Sequence, residues 1–325
     1  MIELNGRRLG IDAGVVADYE AFHDGAALVD YSDRGRMRFH GAAAKDALNG
    51  ILTCDVAPLS SGQGAYGVAL TNKGKIVCDV TVFAMDESFL VEVPAAVWPA
   101  WKDLVGKYIN PRISRRTDET SLTSAIGLFG PGASRILGLL TDSRAASLDE
   151  LTPYSHVTHS IAGITVNVAR IPDLGVDGFR IMAVRDAYPT LRDAAVAGGA
   201  RVVGSGATDA ARIEAGRPIW GVDMDETTLP QEANLESLGA ISYTKGCYTG
   251  QEVVARLHFR GHVNKRLVGL RIEGTTIPAA GARVVNTDGK ESGEVRSSII
   301  SPRFGPIAMA MIRREVNAGD AVTVP

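Results

Sequence analysis

The chain has 325 residues, 45% hydrophobic and 22% charged, with a formal net charge of −3. That composition fits an ordinary globular protein, and its near-neutral charge argues against a general nucleic-acid binder. No stretch approaches the ~20 continuous apolar residues that span a bilayer, so no membrane association is expected.

The N-terminus, MIELNGRRLGIDAG, has no apolar signal core, and Glu3, Asp12, Asp18, Glu20 and Asp24 argue against an acid-poor transit peptide. Cores seldom exceed roughly 250–300 residues before a chain divides, so two or three domains are expected. A helix is expected over Gly41–Gly50, where Ala42, Ala43, Ala47 and Leu48 recur at helical spacing, and another over Pro94–Lys107, which opens on proline. Between them Gly64–Leu70 and Lys75–Phe83 read as strands joined by a TNKG turn, with Phe89–Val93 a further strand. If Lys75–Phe83 is a strand, Asp79 shares a face with Val77 and Thr81, and Cys78 points the other way.

A second unit begins near Ser124. AIGLFGPGASRILGLL reads as strand, Gly-Pro turn and helix, Ile164–Arg170 and Phe179–Val184 as strands, and Ala187–Ala197 as a helix. Arg201–Glu236 is rich in turns and acids. QEVVARL is a short helix or strand. From Lys265 the pattern becomes alternating β, in RLVGLRIEG, ARVVN, GEVRSSII, PIAMAMIRRE and AVTVP, separated by Gly/Pro/Asp turns, which predicts a small barrel or sandwich. Regular βαβ spacing and phosphate-loop glycines are missing, so the fold class is α+β.

Cys54, Cys78 and Cys247 are three cysteines far apart in sequence, which favours reduced thiols and a cytoplasmic location over a disulfide framework. Cys54 and Cys78 sit among apolar neighbours and should be buried. Cys247 lies in Lys245-Gly246-Cys247-Tyr248-Thr249-Gly250-Gln251-Glu252. A lone cysteine is commonly a small buried hydrophobe, but here a lysine two residues away favours the thiolate and the glycines open the backbone to a ligand. From Lys245 to Arg271 six cations face one acid, Glu252. This is either a solvated face or a site for a carboxylate-bearing ligand or an acidic partner. No CxxC, HExxH or cysteine cluster suggests a resident metal. His258 and His262 have helical i, i+4 spacing, but Gly261 weakens that helix. The basic stretch lacks the aromatic platform expected for single-stranded nucleic acid.

KGCYTGQE resembles the diagnostic motif of the YgfZ family, folate-binding accessory proteins of iron-sulphur cluster assembly built on the fold of the glycine-cleavage T-protein. The similarity runs through LPQEANLESLGAISYTKGCYTGQEVVARLHFRGHVNKRL. It extends more weakly to AALVDYSDRGRMRFHGAAAKDALNGILTCDV, GAYGVALTNKGKIVCDVTVF, ARIEAGRPIWGVDM and FGPIAMAMIRRE. The resemblance implies two interleaved α+β lobes plus a C-terminal β-barrel. The expected units are residues 1–120 (a folate-binding lobe), 121–240 (a second lobe), 241–264 (the motif segment) and 265–325 (the barrel). It also implies tetrahydrofolate or a one-carbon derivative as cofactor. The functional residues would be Cys247 and Lys245, set among Gly246, Tyr248, Gly250, Gln251 and Glu252. Asp79, Arg34, Arg212 and Trp220 are the candidate folate contacts.

Two departures bear on the activity. T-proteins have a GG-x-x-DD segment that places a carboxylate near the reactive folate nitrogens. Here Gly74-Lys75-Ile76-Val77-Cys78-Asp79 keeps the last acid alone. They also have a glutamate, gripping the polar edge of the pterin, where Val176 stands. An unpaired pterin edge costs on the order of 1–3 kcal/mol. The expectation is therefore a folate-binding assembly or repair factor, working with iron-sulphur machinery or client [4Fe-4S] proteins, including tRNA-modifying enzymes. The alternative is a tetrahydrofolate-dependent aminomethyltransferase or demethylase of the T-protein type.

Overall fold

The computed structural model describes residues 2–4, 7–141 and 148–325. The chain begins with a short hairpin of β1 (Ile2–Leu4) and β2 (Arg7–Leu9), then α1 (Ala13–Asp24) and β3 (Ala27–Asp30). It next builds a first lobe from β4 (Gly35–His40), α2 (Ala44–Ile51), β5 (Gly64–Leu70), β6 (Ile76–Ala84), β7 (Ser88–Val93), α3 (Trp98–Tyr108) and β8 (Arg115–Asp118). Its five strands form an antiparallel sheet in the order β5-β6-β7-β4-β8.

The second lobe contains β9 (Thr123–Phe129), α4 (Ala133–Leu140), β10 (His156–Ile161), β11 (Ile164–Arg170), β12 (Gly178–Val184), α5 (Tyr188–Ala197), β13 (Arg201–Val202) and α6 (Ser205–Glu214). Its sheet runs β10-β11-β12-β9-β3-β13. Because β3 pairs with β9, the start of the chain belongs to the second sheet, and the lobes are interleaved. A division at residue 120 therefore does not separate the two sheets. Local pattern cannot reveal a pairing between strands about a hundred residues apart.

Each sheet buries one face under helices. Behind the first, Ala69, Cys78, Val80 and Val82 pack with Leu48, Trp101 and Val105 of α2 and α3. Behind the second, Ile126, Leu128, Val168 and Ile181 pack with Ile136 and Leu191 of α4 and α5. The remaining faces meet through Phe83 and Leu90 against Ala125, Ala169 and Met182. Charges are buried in the same seam. Arg36 Nε donates to Glu92 Oε1 at 2.7 Å, and Arg180 pairs with both Glu92 and Asp173. Arg36, Glu92 and Arg180 are fully excluded from solvent, so each charge depends on these partners.

After a turn-rich segment come α7 (Gln251–Arg260), β14 (Lys265–Arg271), β15 (Arg283–Val285), β16 (Glu291–Ser301) and β17 (Gly305–Arg313), with the four strands in the order β14-β17-β16-β15. This barrel-like unit packs Leu267, Ile307, Met309 and Met311 onto Ile213 of α6. Its first strand begins at Lys265, where the alternating pattern begins. AVTVP contributes a single bridge, Val285 to Thr323, and not a full strand. Arg201–Glu236, read as turns, holds α6. Its buried residues are Ala207, Ala210, Ala211, Arg212 and Ile213, mostly small or charged and so without a clear apolar period.

Candidate functional site

Strands β5 and β6 set the site's floor. Their register pairs Tyr66 with Thr81 and Val68 with Asp79, so these four side chains share one face. A bulge between Ala69 and Leu70 then brings Ile76 opposite Leu70. Ile76 consequently joins the cluster with Val68 and Leu70, while Val77, expected beside Asp79, packs on the opposite core.

Above this floor is a cavity of about 560 Å³, within the range of small-molecule sites. The first sheet contributes Tyr66, Asp79 and Thr81, the loop after β3 contributes Tyr31 and Arg34, and Asp173 approaches from the second lobe. Arg212 on α6 and Arg217 just beyond it close one side. Tyr66 and Tyr154 stack with ring centroids 6.0 Å apart. Asp79 Oδ2 accepts from the Tyr66 hydroxyl at 3.5 Å, whereas Oδ1 is shielded and has no partner among the described residues. Burial raises the Asp79 carboxyl above its usual range, and the charge of Arg34 limits that rise. Arg34 itself keeps a buried Nε with no partner among the described residues. Two cavity-lining residues thus each carry a buried polar atom that makes no hydrogen bond among the described residues.

Three of the four expected folate contacts, Asp79, Arg34 and Arg212, line this cavity. Arg212 is already engaged, donating to Asp209 and to the fully buried Asp223. Trp220 does not line it. That indole packs between the cluster under Tyr248 and the core behind the first sheet. Sequence reasoning missed Tyr31, Tyr66, Asp173 and Arg217, which carry no local motif and meet only when the lobes close on each other. A larger polar groove of about 860 Å³ beside His40, Lys45 and Arg115 holds none of the expected site residues.

The Cys247 motif lies against the first lobe. The Lys245 ammonium turns inward and donates to the carbonyls of Asn49, Leu52 and Cys54 at 2.7, 2.9 and 2.7 Å. Burial pulls its pKa down to about 8. Tyr248 is buried against Val68, Leu70 and Ile76, and burial raises its phenol to about 12. Gly250, at φ +82, precedes α7, and a Cβ there would lie 2.6 Å from the Thr71 carbonyl. The turn therefore requires glycine at 250, while Gly246 has open space around its missing side chain. Gln251 and Glu252 begin α7, with Glu252 in its acidic first turn. Neither Lys245 nor Cys247 lines the cavity. The helix ends at Arg260, so His262 falls off the face that carries His258, and His258 instead stacks on Tyr243 and pairs with Glu236.

Cys247 is exposed, whereas Cys54 and Cys78 are buried. Burial raises the Cys54 thiol to about 11 and that of Cys78 above its usual value. A disulfide-exchange reagent should label Cys247 on the native protein within minutes and reach the other two only on unfolding. Equally fast labelling of Cys54 or Cys78 would contradict this burial.

Comparison with known proteins places the chain. Residues 7–242 match the GCVT N-terminal domain and residues 265–325 the glycine cleavage T-protein C-terminal barrel domain. It is 33% identical to an aminomethyltransferase of Rubrobacter xylanophilus, over 96% of this chain and 82% of that protein. With an aminomethyltransferase of Chlorobaculum parvum the identity is 29%, over 97% and 87% of the two chains. The structure of glycine cleavage system aminomethyltransferase T from Bartonella henselae superposes with a TM-score of 0.84 at 22% identity, covering 98% of this chain and 88% of that one. By sequence and by fold, this chain belongs to the glycine-cleavage T-protein family.

Proposed function

We propose that this protein binds a reduced folate in the cavity around Asp79 and acts there in one-carbon transfer of the T-protein type. The observation that carries the reading is Asp79, a carboxyl on the cavity floor with one shielded oxygen that has no partner among the described residues. Such a group is expensive to leave unpaired. A ligand with a nitrogen-bearing one-carbon centre would satisfy it, and the stacked Tyr66 and Tyr154 supply aromatic surface nearby. The names of the relatives, aminomethyltransferases, support the reaction class. Titration with tetrahydrofolate should show saturable binding, weakened about tenfold or more by Asp79→Ala, as expected for losing a hydrogen bond of about 1.5–3 kcal/mol to a charged group. Unchanged affinity in that variant would remove Asp79 from the site, and failure to bind any folate would remove the proposal.

A second reading, the YgfZ-type assembly or repair factor serving [4Fe-4S] proteins, is favoured by Cys247. The thiol stands exposed on a turn that Lys245, Tyr248 and Gly250 pin to the first lobe. Turnover separates the two. Transfer from a glycine-derived aminomethyl donor to tetrahydrofolate supports the first. Folate binding without turnover supports the second, together with failure of Cys247→Ala to restore [4Fe-4S] enzyme activity in cells lacking the protein. Full rescue by that variant at matched expression would make the thiol dispensable.

A further inference from the structure

We propose that Asp173 is the carboxylate that reads the hydrogen-bond-donor edge of the folate's heterocycle, the task left vacant by Val176. The inference rests on the folate reading above and deepens it.

Two acids stand near the vacancy. Asp177 is exposed and paired with Arg170 at 3.0 Å, outside the cavity. Val176 packs into the cluster around Leu174 and Phe129, so position 176 presents no acceptor to a ligand. Asp173, three residues earlier on the same loop, lines the cavity, close enough to Asp79 that its charge helps to raise the Asp79 carboxyl.

Asp173 is also held in place. Its Oδ2 accepts from Arg180 Nη2, and Arg180 is fixed from its other end by Glu92, itself held by Arg36. Arg180 further covers the Tyr31 ring, 4.4 Å from its centroid, and Tyr31 is a wall of the cavity. Oδ1 makes no hydrogen bond among the described residues. The result is a carboxylate with one oxygen anchored to a buried arginine and the other free, at a solvent accessibility of 24%. The edge of a pterin, with its ring N–H and exocyclic amino group side by side, is a donor pair of the chemistry such an oxygen takes.

The test compares two ligands on two proteins: tetrahydrofolate and its 2-desamino-2-methyl analogue, with the wild type and Asp173→Asn. Asparagine can still accept from Arg180 while turning its amide nitrogen toward the cavity. Wild type should bind tetrahydrofolate about tenfold to a hundredfold more tightly than the analogue, and Asp173→Asn should lose most of that preference. A structural role for Asp173 would weaken both ligands alike. Equal preference in the two proteins, or no preference in the wild type, overturns this inference and leaves folate binding standing. Absence of any folate binding would remove the reading beneath it and this inference together.

Discussion

Replacing Glu92 by glutamine should destabilise the protein by about 3–5 kcal/mol, the usual cost of leaving a buried charge without its partner. Glu92 accepts from Arg36 on one oxygen and from Arg180 on the other, and all three side chains are excluded from solvent. Both arginines stay charged at any accessible pH. With an amide at 92, Arg36 would have no anion and Arg180 only the partly exposed Asp173. Burial alone would raise the Glu92 carboxyl, but Arg180 and Arg36 reverse this and hold it at about 2, below its ordinary 4.5. A depressed carboxyl gives stability that is complete above its unfolded pKa and is lost as pH falls through the folded one. The wild type should therefore lose this contribution between about pH 4.5 and 2, and Glu92→Gln should lack that part of the acid sensitivity. Denaturant unfolding at neutral and acid pH measures both. A variant within 1 kcal/mol of wild type at pH 7 would show that water or rearrangement satisfies the arginines.

The reach of the sequence can be judged from particular residues. The β5–β6 hairpin was legible because its turn, TNKG, supplies Gly74 at φ +72 between two short apolar runs. The C-terminal strands were legible from the Gly/Pro/Asp turns between them, although β17 buries both its faces, Ile307, Met309 and Met311 in one cluster and Ala308, Ala310 and Ile312 in another. The end of α7 was legible from Gly261. What could not be read is non-local. Strand β3 pairs with β9 across the whole first lobe, and a bulge turned Val77 away from the face that strict alternation gave it. In the site, Asp79, Arg34 and Arg212 were found through resemblance. Asp173 and Tyr66 were not, because a cavity between lobes is made of residues that share no spacing.

Lys245→Met should cost on the order of 3 kcal/mol of stability, while Cys247→Ala, two residues away, should cost little. The three carbonyls held by Lys245 belong to Asn49, Leu52 and Cys54, at the C-terminal end of α2 and just past it, and lie 191 to 196 residues away in sequence. A helix's last carbonyls have no partner within the helix, and its negative end favours a cation. Lys245 answers both needs, and only the ammonium form has three hydrogens for three acceptors. Methionine matches the chain length and apolar stem but offers no donor. Each unsatisfied carbonyl then costs about 1–3 kcal/mol, reduced where water can enter. Cys247 is exposed with no such duty, so its removal should leave unfolding within about 0.5 kcal/mol of wild type. Chemical denaturation of the two variants, read beside their folate affinity, separates the halves of the motif. A stable Lys245→Met protein with impaired function would return Lys245 to a chemical role. An unstable one makes it the cap that fixes the turn on which Cys247 is displayed.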